Sequence, residues 1–140
     1  MESKLKKILK NILATAFTLV IIGTTQVYAT TKQTVVYVPT GASNYAQVSA
    51  TKSTNKRYVG YNLFSVCPTG NYTDDSYTKV KISAYFSSVT LLSERVVTEG
   101  TGYDEQSYSN PLKKDALITF RIKGNNAKLD AYASVYLNFF

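Results

Sequence analysis

The chain has no histidine, no tryptophan and a single cysteine among its 140 residues. Without histidine there is no Ser-His-acid or Cys-His catalysis, and the commonest zinc ligand is missing. One cysteine, Cys67, cannot close an internal disulfide or build a structural zinc site. The 7 glycines are scattered, so no glycine-rich phosphate loop forms, and no cofactor is expected. Only 3 prolines punctuate the sequence, and no stretch carries the i, i+3, i+4 stripe of an amphipathic helix beyond the first thirty residues. Carboxylates are the remaining catalytic option. Asp74-Asp75 and Asp104-Glu105 read as solvated turn acids, because loops collect polar residues and the alternating spacing of a calcium loop is absent. The expectation is a protein that is not an enzyme, with no catalytic and no metal-binding residues.

What is present begins with an export signal. Lys4, Lys6, Lys7 and Lys10 form a basic start, Ile12 to Gly23 is nearly apolar throughout, and Val27 and Ala29 place small residues before a cut after Ala29. That pattern is a secretory signal peptide, residues 1–29, read as a short helix; its apolar run is too short to cross a bilayer comfortably. An uncleaved anchor is the alternative. Residues 30–140 are then a single secreted, extracellular domain. Removal of the four lysines and Glu2 takes the formal charge from +7 to +4. This mild balance favours loose association with an anionic envelope and is too diffuse for nucleic acid.

The mature part alternates with a period of two. Runs 34–38, 44–52, 58–66, 77–86, 89–98, 116–123 and 129–140 are rich in β-branched and aromatic residues and are bounded by Gly, Pro and Asn. The run 58–66 is expected to stop at Cys67-Pro68. The "KGNNAK" stretch reads as a hairpin turn, since Gly124, Asn125 and Asn126 tolerate positive φ. The expected fold is all-β, a small antiparallel β-sandwich of about seven strands. An open, twisted barrel is the runner-up. A lipid-facing barrel is disfavoured, because Lys79, Lys81, Arg121 and Lys123 would each cost roughly 2–4 kcal/mol against lipid.

The last twelve residues, "LDAYASVYLNFF", pose the functional question. Leu129, Ala131, Ala133, Val135, Leu137 and Phe139 make a core face. The other face, which ought to meet water, carries Tyr132, Tyr136 and Phe140. Of the 12 tyrosines all but Tyr28 belong to the mature part, and Tyr45 and Tyr85 also fall on outward positions. Tyrosine suits half-exposed sheet surface, and it equally combines an apolar body with a polar tip as binding surfaces do. Tyr45, Tyr85, Tyr132, Tyr136 and Phe140 are therefore the candidate binding residues.

The closing Ala133, Ser134, Tyr136, Asn138, Phe139 and Phe140 resemble the C-terminus of lactococcin-972-like bacteriocins. The resemblance implies a small secreted Gram-positive β-sandwich protein. It also implies an antagonist that disturbs wall assembly by binding a lipid-linked precursor. Leu137 stands where another aromatic is common in that family, and the mature part is longer. The expected function is a non-catalytic, bacteriocin-like factor that binds a Gram-positive cell-envelope component. The alternative is a secreted structural or adhesive protein that self-associates through its Tyr-rich faces.

Overall fold

Eight strands account for most of the described residues in the computed structural model, which describes residues 31–41, 43–69, 77–125 and 128–140. They are β1 (Thr31–Val38), β2 (Ala46–Thr51), β3 (Tyr58–Pro68), β4 (Lys79–Phe86), β5 (Val89–Thr98), β6 (Asp104–Ser107), β7 (Leu117–Gly124) and β8 (Ala131–Asn138). Among the described residues there is no helix. The strands form two antiparallel four-stranded sheets, ordered β1-β8-β3-β6 and β2-β7-β4-β5, in a small β-sandwich. The expected signal peptide, Asp74-Asp75 and Asn126 lie outside the described residues.

Alternation along each strand decides which side is buried. Val80, Ile82 and Ala84 of β4, Ile118, Phe120 and Ile122 of β7, and Ala131, Ala133, Val135 and Leu137 of β8 all lie inside. With Val59, Leu63 and Val66 of β3 they join in one hydrophobic cluster between the sheets, and Ala46, Val48 and Ala50 of β2 pack against it. Phe139, just past β8, is fully buried and meets Phe120 of the other sheet edge to face, ring centroids 5.1 Å apart.

Three sequence expectations are corrected. The "KGNNAK" stretch does not close a hairpin: β7 pairs with β2 and β4, whereas β8 pairs with β1 and β3 in the other sheet. The Gly-Asn signal marks a chain reversal, and a reversal serves equally well to cross from one sheet to the other. Among the described strands the only connection that stays within a sheet is β4–β5, a two-residue turn at Ser87-Ser88 with Phe86 opposite Val89 and φ of 52° at Ser87. Second, β3 continues through Cys67 and Pro68, which pair with Tyr132 and Ala131. Third, Asp104 and Glu105 lie not in a loop but in a short strand that the sequence reading did not include, β6, which pairs with Tyr58–Tyr61.

An irregularity in β3 shapes its outer side. Leu63 stands opposite Val135 and Ser65 opposite Ser134, leaving Phe64 as the extra residue of a β-bulge. The backbone there is bonded by the β5–β6 turn: the Gly100 N–H donates to the Leu63 carbonyl at 3.0 Å, and the Val66 N–H donates to the Glu99 carboxylate at 2.8 Å. Gly100 and Gly102, with φ of 73° and 93°, allow this turn to lead straight back along the edge of β3.

Candidate functional site

The outward side of the β1-β8-β3-β6 sheet is aromatic. Tyr37, Tyr58, Phe64, Tyr103 and Tyr132 are all exposed there, with Tyr136 half-buried between its neighbours. Tyr37, Tyr58, Tyr132 and Tyr136 occupy alternate positions to the buried Val36 and Val38, Val59, and Ala133 and Val135. At one end Tyr37 and Tyr132, opposite each other in the ladder, have ring centroids 5.6 Å apart. The Tyr37 hydroxyl donates to the Asp130 carboxylate at 2.6 Å, and the Thr40 N–H donates to the same group at 2.6 Å. These bonds, led by that from Tyr37, hold the Asp130 carboxyl below the usual carboxylate range.

At the other end lies an open groove of about 450 Å³. Asn62 and Phe64 of β3, Tyr136 and Asn138 of β8, and Glu105 of β6 line it, with Tyr103 and Phe140 from the segments flanking β6 and β8. Tyr103 meets Tyr136 nearly edge-on, centroids 6.0 Å apart. Its hydroxyl lies over Gly60, where a Cβ would come within 2.0 Å of the oxygen. Only glycine permits that approach, so Gly60 is a cradle for the ring. Although 46% of Tyr103 is exposed, its hydroxyl end is enclosed, and this burial pushes its pKa up to about 12.

The hydrogen bonds around that hydroxyl have a fixed direction. A carboxylate can only accept, so the Tyr103 hydroxyl donates to Glu105 at 3.1 Å. Its oxygen is then the acceptor for the Asn138 side-chain NH2, 3.3 Å away. The Asn138 carbonyl oxygen is left buried with no partner, and so is that of Asn62. Two orphaned acceptors beside one groove are unusual, since buried polar groups are nearly always bonded.

Phe140 is held from beneath. Lys52 is completely buried, and its ammonium donates to the main-chain oxygens of Phe140 and Lys56 and, at 2.6 Å, to the Tyr108 hydroxyl. Burial lowers its pKa. On the outside the Lys56 ammonium stands 5.6 Å from the centre of the Phe140 ring.

The five candidate residues read from the sequence do not form one surface. Tyr132, Tyr136 and Phe140 belong to the aromatic face just described. Tyr45 and Tyr85 lie on the outward side of the other sheet, where their rings flank the Arg121 guanidinium at 4.7 and 4.3 Å. That face is cationic, with Lys79, Lys81 and Lys123 beside Arg121 and with Glu94 bridging Lys123 at 3.1 Å and Lys81 at 3.4 Å. Period-two reading assigns each side chain to the inside or the outside of its own strand but not to a sheet, and this is why two opposite surfaces merged into one set. It also missed Asn62, Phe64, Tyr103 and Glu105. The four-residue β6 is too short for alternation to show, and the bulge at Phe64 leaves no mark in composition. The separation of Asp104 from Glu105 follows from the strand: Asp104 turns to the Tyr61 hydroxyl at 2.7 Å and to Arg95 at 3.7 Å, Glu105 to the groove. The bond from Tyr61, first, and then those from Gln106 and the Glu105 N–H hold Asp104 below its ordinary pKa.

The chain matches no protein-family model, and no curated protein matches it in sequence.

Proposed function

We propose that this chain is a small secreted, non-catalytic β-sandwich protein that binds a component of the Gram-positive cell envelope, in the manner of a bacteriocin-like factor. The observation that carries the reading is the aromatic outer face of the β1-β8-β3-β6 sheet with its groove. Exposed tyrosines and a phenylalanine supply large, rigid contact area, and clustering on one side of a sandwich makes them a surface rather than scattered residues. A groove with apolar walls and a few polar groups is the usual form of a ligand site. The resemblance of residues 133–140 to lactococcin-972-like proteins supports the choice of target. The carboxylates Asp104 and Asp130 are occupied by Tyr61, Arg95, Tyr37 and the Thr40 N–H, which suits structure better than acid–base work.

The test is direct. Purified secreted protein is added to Gram-positive cells and to isolated envelope, and sedimentation of the protein with either is measured together with growth. Binding with growth inhibition is the expected result; protein that remains in the supernatant and leaves growth unchanged contradicts it. Self-association is the second reading, favoured by β1, an eight-residue edge strand whose exposed Tyr37 stands beside Tyr132. It predicts a sedimentation coefficient that rises with protein concentration in the absence of any envelope.

A further inference from the structure

We infer that the groove between Tyr103, Tyr136 and Phe140 is a binding site for a primary ammonium group carried on a short apolar stem. The inference rests on the reading of this face as the binding surface and names the chemistry that would occupy it.

Three observations converge. The first is the polarity of the lining. The Asn62 and Asn138 carbonyl oxygens are buried without partners, and Asn138 itself is only 6% exposed. The direction of the Asn138–Tyr103–Glu105 chain prevents the Asn138 amide from turning its NH2 outward, because that NH2 is spent on the tyrosine oxygen. The unsatisfied groups are therefore acceptors, and the missing ligand is a hydrogen-bond donor.

The second is charge. Glu105 has no cationic partner among the described ion pairs, which join Glu94 to Lys81 and Lys123, and Asp104 to Arg95. No lysine or arginine lines the groove, in a chain that carries an excess of both. A carboxylate left without a cation beside two orphaned carbonyls favours a positively charged donor over a neutral one.

The third is the aromatic wall. Phenylalanine and tyrosine faces attract cations, most strongly where water is partly excluded. Phe140 already shows this, with the Lys56 ammonium of the same chain 5.6 Å from its ring centre. A primary ammonium has three donors to offer the Glu105 carboxylate and, by displacing the side chains that cover them, the two buried carbonyls, and its alkyl stem would lie along Phe64 and Tyr136. A quaternary ammonium lacks donors and would leave both carbonyls unpaired.

The experiment uses the secreted protein and simple probes. Butylammonium, tetramethylammonium, butanol and glucose are titrated against it while the side-chain amide resonances of Asn62 and Asn138 are followed by NMR. Glu105→Gln keeps an acceptor for Tyr103 and removes the charge, so the fold is retained; Asn62→Asp adds a carboxylate at the groove. Butylammonium is expected to shift both amides with an affinity that falls at high salt. Glu105→Gln is expected to weaken it about threefold to fivefold, the scale of an exposed ion pair, and Asn62→Asp to strengthen it. Butanol and glucose should be at least several-fold weaker, and tetramethylammonium weaker than butylammonium. Equal binding of glucose or butanol with no effect of Glu105→Gln overturns the inference, and so does the absence of any shift with butylammonium. Envelope sedimentation of the same samples separates the two levels. Envelope binding without amine binding sinks the ammonium site and leaves the proposed function standing. Amine binding without envelope binding does the reverse.

Discussion

The Tyr103 hydroxyl rests on Gly60, close enough that a Cβ at position 60 would stand 2.0 Å from the oxygen and 2.5 Å from Cζ. Gly60→Ala must therefore displace the ring. The obstructed atoms are the far end of a side chain reached from an exposed turn, so the strand itself survives. The bonds from Asn138 and to Glu105 are lost, at a cost of about 1–2 kcal/mol, partly offset by the better strand propensity of alanine. A denaturant melt measures this, and the same variant should leave the groove open to solvent. A loss of several times that size would mean that Gly60 serves the core rather than the groove.

Alkaline titration reports the same contact. Burial pushes both Tyr103 and Tyr108 up to about 12, against the ordinary value of 10. The folded protein keeps these protons where the unfolded chain has lost them. Their contribution to stability is thus full below about pH 10 and is lost as pH rises toward 12. Absorbance of tyrosinate near 295 nm should show late-titrating groups in the native protein, Tyr103 and Tyr108 together with Tyr37 and Tyr61, whose pKa values are also raised, and none in denaturant beyond the common step. Tyr103→Phe and Tyr108→Phe should each remove one, and Gly60→Ala should bring Tyr103 back toward 10.

The core supplies a contrast to the face. Phe139 is fully buried against Phe120, so Phe139→Ala removes the ring from both the cluster and the edge-to-face pair. The expected loss is about 3–5 kcal/mol, enough to unfold a marginal small domain. Chemical denaturation or the loss of dispersed amide resonances reads it out. A variant that melts like the parent would place Phe139 outside the core.

The inside of this sandwich was legible in the sequence because its strands are long enough for alternation to declare itself. Ile118, Phe120 and Ile122, and Ala131 to Leu137, fall where a period of two puts them. Pairing was not legible. Among the described strands every connection except β4–β5 crosses between the sheets, so neighbours in sequence are seldom neighbours in a ladder. A turn signal such as Gly124-Asn125 fixes the reversal without fixing the sheet that receives the next strand. The site suffered most from this. Tyr132 and Tyr136 were found from β8 alone, but Tyr103, Gly60 and Glu105 come together with them only through β3–β6 and β3–β8 pairing. Tyr45 and Tyr85 share the same alternation and face the opposite way, around Arg121.

The outward tyrosines of β8 carry the central claim, and one variant tests it. Tyr132 is 45% exposed and Tyr136 lines the groove, each packed against one tyrosine of a neighbouring segment. Tyr132→Ser combined with Tyr136→Ser should cost only about a kilocalorie per mole at each site, from lost cross-strand pairing. The measurement is co-sedimentation of this double variant with Gram-positive envelope, beside the parent protein and at a concentration where a melt shows the variant to be folded. The expected result is a folded protein that no longer sediments with the envelope. A folded double variant that binds as the parent does would make the tyrosine face ordinary sheet surface, and the proposed function would go with it.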